Sequence, residues 1–547
     1  MMRLSIMRIS MVAAVAALVA TGAFAAGRPE AAAPTGQPIA DQSWSDWDFP
    51  AVLPERPQPM DESAYAYVDN SIPVAFEVQI VGFVNTPLPT PDPLAEYLLT
   101  NYNATVTLQS YSAADHQTAL SARFAGGDAP EVAYIPYSQR DLAEILYESG
   151  QLLNAAKLLP YMPQYRSYVT ETYARWASYN DNEWVGFPRY PIFPNNWGLF
   201  IRQDWLDYLG MDHPRTTEEL FEYAMAVTYQ DPNQSGSDDT WFMGGAGSGR
   251  GFQMLEELRS AFGHPSYNVA DGRINHPMLD GTTRDFLRYL KRLRDAGVLS
   301  PDWYTIGWEE FKSYSIAGRI GMVRYPGWNL VNEMVEGNQN DMAYKDVWDA
   351  INPVTAPDGS GGRLRPAGTP DGMFVFRADL ANNPDRLRRI ARTLEAFAYP
   401  NPSYANLIQG GGPDIWPEKT FFQFNEEDGT KVFTRLSPLE DRYASLGDWQ
   451  RFGITLMYEV FLEEPGLTGA EQNQRVQAMP RWENYDMLLN LDAALVADLR
   501  EFTGQNEIAF VLGERSFDDW DRYVSQWKAA GGEALLRQAG EQLGVRF

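Results

Sequence analysis

Between residues 72 and 148 the hydrophobic period switches back and forth between two and about 3.6, and this restricts the fold more than any other feature of the chain. "IPVAFEVQIVGFV" (72–84) puts Val74, Phe76, Val78 and Ile80 on one side of an extended segment, as a strand packed on a core requires. The helix-like "DPLAEYLLTNY" follows, then a second strand, "ATVTLQSY" (104–111). After the helical "ADHQTALSARFAGGD" come a third strand, "PEVAYIPY" (130–137), and "SQRDLAEILYESG", for which Ser138 offers a capping side chain. Strands joined through helices run parallel, because a tight hairpin connects only antiparallel neighbours. The expected fold class is therefore α/β.

The chain begins "MMRLSIMRISMVAAVAALVATGAFAAG", with Arg3 and Arg8 ahead of a short apolar run and a small-x-small pattern at Ala23-Phe24-Ala25. Residues 1–25 are expected to be an export signal removed near Ala25, the run being short for a bilayer span. The sequence holds no cysteine, which excludes disulfides, thiol catalysis, Cys-type zinc sites and acylation on an N-terminal cysteine. A soluble periplasmic protein held by its core is expected. The formal net charge of −28 argues against a nucleic-acid partner. A chain of 547 residues is too long for one small core and suggests two lobes.

Residues 26–71 are rich in Ala and Pro and are expected to form a tether, in which Trp44, Trp47 and Phe49 (within 41–60) stand out as candidates to dock on the folded body. Farther along, "WGLFIR" (197–202) reads as a strand and "TTEELFEYAMAVTYQ" as a helix capped by Thr216 or Thr217. "GTTRDFLRYLKRLRDAGVL" (281–299) is an amphipathic helix, and "IAGRIGMVRYPGW" a buried strand ending on a turn with Tyr325 and Trp328. A Pro/Gly-rich crossing from 352 leads to the strand "MFVFRA" and the helix "PDRLRRIARTLEAFA"; residues 440–547 are mostly helical in pattern.

The order of "FAGGDAPEVAYIPY", "NNWGLFIRQDWLDYLG", "IAGRIGMVRYPGW" and "INPVTAPDG" resembles the family 1 extracellular solute-binding proteins of ABC importers, which include the maltose-binding and alginate-oligosaccharide-binding proteins. The likeness runs from about residue 72 to the C-terminus. It implies the two-lobed periplasmic-binding-protein fold (type II), with ligand held in a cleft that closes about a hinge. Lobe 1 would comprise 72–185 and 366–440, and lobe 2 186–365 and 441–547. The implied function is capture of an oligosaccharide or related glycoside and its delivery to membrane permease subunits, by a monomer, without bond making and with no cofactor for activity.

The resemblance also implies ligand contacts. They fall on Tyr137, Ser138 and Gln139 in the turn after the third strand, where Ile135 and Ser138 replace the Trp and Asp of maltose-binding members. Others fall on Asn196 and Trp197 at the entry to the second lobe, on Ser248 and Arg250 in "GGAGSGRG", and on Tyr325 and Trp328. "QGGGPDIWPE" (409–418) is a further candidate wall, with Asp414 and Trp416. Aromatic rings suit the C–H face of a pyranose, and amide, carboxylate and guanidinium groups its hydroxyls. Arg189, Arg250 and Arg324 would call for an anionic ligand if several point inward; otherwise they form salt bridges.

"DPNQSGSDDTW" (231–241) carries Asp231, Asn233, Ser235, Ser237 and Asp239 at every second position, with glycine at the sixth. The alginate-binding relatives hold structural Ca2+ in such a loop, with side-chain oxygens from Asp231, Asn233, Ser235 and Asp239 and the Ser237 carbonyl as the corresponding ligands here. Ser235 and Thr240 depart from the pattern, so a structural Ca2+ site and a polar Asx-type turn both stay open. A secreted carbohydrate-active enzyme, hydrolase or lyase, is the alternative function, and a peptide-binding or sensing domain another. With 72 acids a carboxylate pair can always be imagined, and the four histidines, His116, His213, His264 and His276, share no zinc-type spacing.

Overall fold

In the computed structural model the alternating segments form the parallel strands they encode. The described residues are 59–82, 91–112, 115–167, 169–180, 182–191, 197–249, 251–327, 330, 347–398, 401, 403, 422–427, 430–435, 449, 452, 455–456 and 468–547. The strands that matter here are β1 (Val74–Val81), β2 (Ala104–Tyr111), β3 (Val132–Pro136), β4 (Phe187–Pro191), β5 (Trp197–Arg202), β6 (Met322–Pro326), β7 (Trp348–Ala350), β8 (Gly372–Phe376) and β9 (Thr455–Leu456). The helices that matter here are α1 (Pro93–Tyr102), α2 (His116–Gly126), α3 (Arg140–Glu148), α4 (Thr217–Tyr229), α5 (Thr282–Asp295), α6 (Trp308–Ile316), α7 (Pro384–Glu395) and α8 (Ala493–Leu512). None of the described helices is long and apolar enough to cross a membrane.

The first sheet runs β9-β4-β8-β3-β1-β2. β1 pairs in parallel with both β2 and β3, and β8 is antiparallel to β3 and β4. Val78, Ile80, Val132 and Phe374 are fully buried in its core, each such side chain contributing roughly 1.5–3 kcal/mol relative to exposure. The second sheet is β6-β5-β7, antiparallel throughout. Its core takes Phe200 and Ile201 from β5, Tyr223 from α4, Phe286 and Leu290 from α5, and Phe510 and Tyr523 from the C-terminal helices. α4 starts on a reciprocal capping box between Thr216 and Glu219.

Several boundaries differ from expectation. Phe187–Pro191, expected in lobe 2, is β4 of the first sheet, and Trp449, Phe452 and β9, also expected in lobe 2, join the first core. Pro188 and Pro191 disguise β4 as a loop; they are accommodated because its pairing with each neighbour is short. Ser138 does not cap α3: a 3₁₀ turn, Tyr137–Gln139, precedes the helix, and the Ser138 carbonyl accepts Arg500 at 2.7 Å. Arg500, from α8, also forks onto Asp141 at 2.8 and 2.9 Å, so α8 holds the first lobe as well as the second.

Residues 59–71, expected in the tether, dock on the first lobe. The export signal and the Trp-containing stretch up to residue 58 lie outside the described residues. Tyr65 is buried and donates to Glu395 at 2.8 Å, Glu62 pairs with Arg392 at 3.0 Å, and the Met60 amide donates to Gln164 at 2.7 Å. An aromatic residue with a buried partner outweighs a linker-like composition. Glu395 also accepts the amides of Gln164 and Tyr165. Burial pushes its carboxyl up from 4.5 to about 7, against these hydrogen bonds and Arg392.

A carboxyl group whose folded pKa is raised gives its full stability below its unfolded value and loses it as pH climbs through the folded one. Glu395 is therefore expected to make the protein about 3 kcal/mol less stable at pH 8 than at pH 4 relative to a Glu395→Gln variant. Urea denaturation of both proteins across that range checks this. Parallel curves would refute it.

Candidate functional site

The lobes are joined where the 365–371 crossing runs beside the segment 479–490: Asn484 donates to the Ala367 carbonyl at 2.8 Å, Leu489 accepts Arg140 at 3.2 Å, and Asp371 at the end of the crossing pairs with Arg189 of β4. On the first-lobe side β3 ends in the turn Tyr137–Gln139. The Tyr137 amide donates to the Asp371 carbonyl at 2.9 Å, and its ring stacks on Trp176 at 6.0 Å and 21°. Asp371 accepts the Tyr134 hydroxyl at 2.8 Å and pairs with buried Arg189. Gly372 follows because a Cβ there would lie 2.4 Å from the Ile135 carbonyl oxygen. Ser138 is exposed, and among the described residues the buried Oε1 of Gln139 has no hydrogen-bond donor.

On the second-lobe side Trp197 opens β5 and is half-buried. Trp308 meets its edge at 6.2 Å, and the Arg324 guanidinium lies over its ring at 4.4 Å. Arg324 and Tyr325 are successive residues of β6 and face opposite ways. Arg324 reaches Glu257 at 2.9 Å, while Tyr325 is fully buried and stacks on Trp308 at 5.1 Å. Tyr325, expected to touch ligand, is thus a core residue that supports Trp308 from below.

Ser248 is exposed on a turn pinned by hydrogen bonds to the carbonyls of Tyr304 and Ile306. Ile306 stands two residues before Trp308, so this turn lies at the start of α6 beside the ring that meets Trp197. Asn196, Arg250, Trp328, Asp414 and Trp416 lie outside the described residues. Arg189 and Arg324 sit on strands rather than loops, and each is ion-paired. Sequence reasoning missed Trp308, Glu257, Arg365 and Arg481. Trp308 stands at the start of α6, where helical spacing does not say which way the first residue turns, and Arg365 lies in a Pro/Gly-rich crossing with no period at all.

The histidines are engaged elsewhere. His116 is fully buried, which pushes its pKa down to about 4; His276 stacks on Trp527 at 4.8 Å, and burial pushes it to about 3. His264 contacts the Glu483 carbonyl at 3.0 Å and His213 the side chain of Gln203 at 2.6 Å. At the junction itself Glu257 and Asp371 are each held by an arginine.

The loop at 231–241 closes on its own oxygens. Asp231 accepts the amides of Ser235 and Gly236, both at 2.9 Å, and Asp239 accepts Ser235 Oγ at 2.9 Å and Asn233 Nδ2 at 3.0 Å. Asp231 and Gly236 hold left-handed conformations, with φ of 46° and 76°. Thr240 is buried and donates to the Val227 carbonyl at 2.6 Å, which ties the loop to α4.

Comparison with known proteins adds the family. The chain matches the family described as bacterial extracellular solute-binding protein over residues 85–379. The polygalacturonan/rhamnogalacturonan-binding protein YtcQ of Bacillus subtilis (strain 168) is 22% identical over 356 residues, which cover 63% of this chain and 67% of the relative. The fructooligosaccharide ABC transporter substrate-binding protein FusA of Streptococcus pneumoniae serotype 4 is 24% identical over 404 residues, 69% of this chain and 71% of the relative. The structure of FusA in complex with kestose is similar at a TM-score of 0.64 and 15% identity, over 85% of this chain and 98% of that one. Alginate-binding protein AlgQ2, solved without calcium ion, is similar at a TM-score of 0.63 and 17% identity, over 86% and 98%. These are solute-binding proteins of the two-lobed fold, and the two cores described above are its lobes.

Proposed function

Because the chain belongs to the bacterial extracellular solute-binding protein family, we propose that it captures an oligosaccharide between its lobes and delivers it to an ABC importer. It acts as a periplasmic monomer, recognised by the permease subunits in its closed, ligand-bound form. The observation that carries this reading is the half-buried Trp197, braced by Trp308 and Arg324 at the junction of the lobes. An indole held rigid at a junction is a platform for a sugar ring, and Gln139 Oε1 is an acceptor in need of a hydroxyl. No bond is made or broken: ligand that touches both lobes shifts the population toward the closed form.

Titration of the purified protein with a panel of saccharides including kestose, read by tryptophan fluorescence and calorimetry, tests the proposal. Saturable binding of at least one is expected. Turnover of a glycan at catalytic rates, or no binding across the panel, would overturn it.

The 231–241 loop serves in this reading as a structural Ca2+ site that fastens the second lobe. The donors fit a hard cation: carboxylates of Asp231 and Asp239, the Asn233 amide, the Ser235 hydroxyl and the Ser237 carbonyl, gathered around a glycine bend. With only two carboxylates, and Thr240 turned into the core, the affinity belongs in the range of about 0.1–1 mM. At 10 mM Ca2+ the expected stabilisation is about 1.4–2.7 kcal/mol, lost in Asp231→Ala. Thermal melts with and without the ion read this out. An unchanged melting temperature at 10 mM would leave only a polar turn.

A further inference from the structure

The segment 481–492 passes from the second lobe to the first and back. The Trp482 amide donates to the Leu364 carbonyl at 3.0 Å, and the Glu483 carbonyl meets His264 at 3.0 Å, both in the second lobe. The short 3₁₀ helix Tyr485–Leu488 then packs on the first-lobe helix Glu171–Ala177. Met487 enters the first core and Leu489 the second. Asn490 donates to the Tyr179 carbonyl at 3.1 Å on the first lobe, while its own carbonyl accepts Gln542 at 2.6 Å on the second. A motion of one lobe against the other must be taken up here and in the 365–371 crossing.

Asp486 stands in the middle of this segment, with a lobe on either side of its carboxyl. Its charge acts on the phenol of Tyr137 in the first lobe and on that of Tyr267 in the second. Burial among these groups pushes the carboxyl up to about 6, against the neighbouring Ser266 hydroxyl and the charge of Arg365 on the crossing. The remaining charged groups along the contact are largely engaged with one another. Arg140 pairs with Glu144 at 2.9 Å, Asp141 with Arg500 at 2.8 Å and Arg175 with Glu171 at 2.6 Å, and Glu483 accepts the Tyr485 hydroxyl. Burial pushes His264 down, which leaves it uncharged in the neutral range.

We propose that Asp486 is a proton-operated latch on the hinge: its protonated form holds the lobes together over the ligand, and its ionised form lets them part. The proposal rests on the saccharide-binding reading above and adds the regulation of that same site. Tyr137 and Tyr267 belong to opposite lobes, so parting them takes one wall from Asp486 and admits water. The carboxyl then returns towards its ordinary value of 3.8. A group that binds its proton more tightly in the closed arrangement favours closing below its pKa there, and the advantage is lost as pH climbs through about 6. Ligand held by both lobes shares this equilibrium, so its affinity follows pH in the same sense.

The chain has no cysteine, so Leu99→Cys and Tyr208→Cys, at exposed positions of the first and second lobes, place a fluorescent dye pair across the hinge. Without ligand, the distance between the dyes is expected to change between pH 5 and pH 7.5 with a midpoint near pH 6, and Asp486→Asn should hold it at the pH 5 value throughout. Kestose, titrated by calorimetry, should bind about 10-fold tighter at pH 5 than at pH 7.5, and equally at both in Asp486→Asn. A dye distance that does not change with pH, or that changes as much in Asp486→Asn, overturns the proposal. Should Asp486→Asn fail to fold, Arg365→Gln decides: without the charge that holds the carboxyl down the midpoint is expected to rise, and an unmoved midpoint overturns the proposal. If kestose binds at neither pH, the dye distances alone decide, so failure of the saccharide reading is told apart from failure of the latch.

Discussion

Replacing Glu507 by alanine is expected to destabilise the protein by about 3 kcal/mol, measured by chemical denaturation at pH 7. Glu507 lies on α8, buried in the second lobe, where it accepts Arg259 Nη2 at 2.7 Å. Arg259 is itself buried, lies over the ring of Phe286 at 4.6 Å and donates to Thr283 at 2.9 Å. Removing one member of a buried pair strands the other in a medium that cannot solvate it. The loss sits at the low end of the usual range because Glu256, at 2.9 Å from Arg259 Nε, keeps part of the compensation. Glu507→Leu combined with Arg259→Met removes both charges while keeping volume, and should recover most of the stability. A double variant as unstable as the single one would show that the pair contributes through geometry rather than through avoided desolvation.

Replacing Trp197 by alanine should raise the dissociation constant of a bound saccharide about 30-fold or more, the effect of removing an aromatic anchor from the centre of an interface. The cost to the fold should be smaller, because Trp197 is only half-buried and Trp308 keeps its stack on Tyr325. Calorimetric titration together with a thermal melt separates the two. A variant that binds normally would move the sugar platform away from β5. One that unfolds would make Trp197 a core residue.

The segments most legible in sequence were those with a clean period. β2 and β5 coincide with the strands read from "ATVTLQSY" and "WGLFIR", and β1 and β3 fall within their predicted spans. β4 was not legible as a strand of the first lobe, because its prolines weaken the strand signal and its partners lie far away in sequence. Trp449 and Phe452 join the first core through contacts that no local pattern encodes. At the site, Trp197 could be picked out from its place at a strand end. Tyr325 could not be told from Arg324, since on a strand a shift of one residue reverses which of them faces the core. Arg365 was hidden for a different reason: it lies in a Pro/Gly-rich crossing without a period, and it meets Glu257 and Arg481 through its backbone, which no side-chain pattern encodes.

Both lobes are assembled from pieces far apart in the chain. The first sheet brings residue 190 beside residue 455, and the second core joins Phe200 to Tyr523. Neither lobe can therefore complete its core until nearly the whole polypeptide is available, and closing such long loops slows folding far more than it weakens the finished structure. Until those last segments arrive, apolar surface of both cores stays exposed, so a chain that stops short of them is expected to aggregate rather than fold.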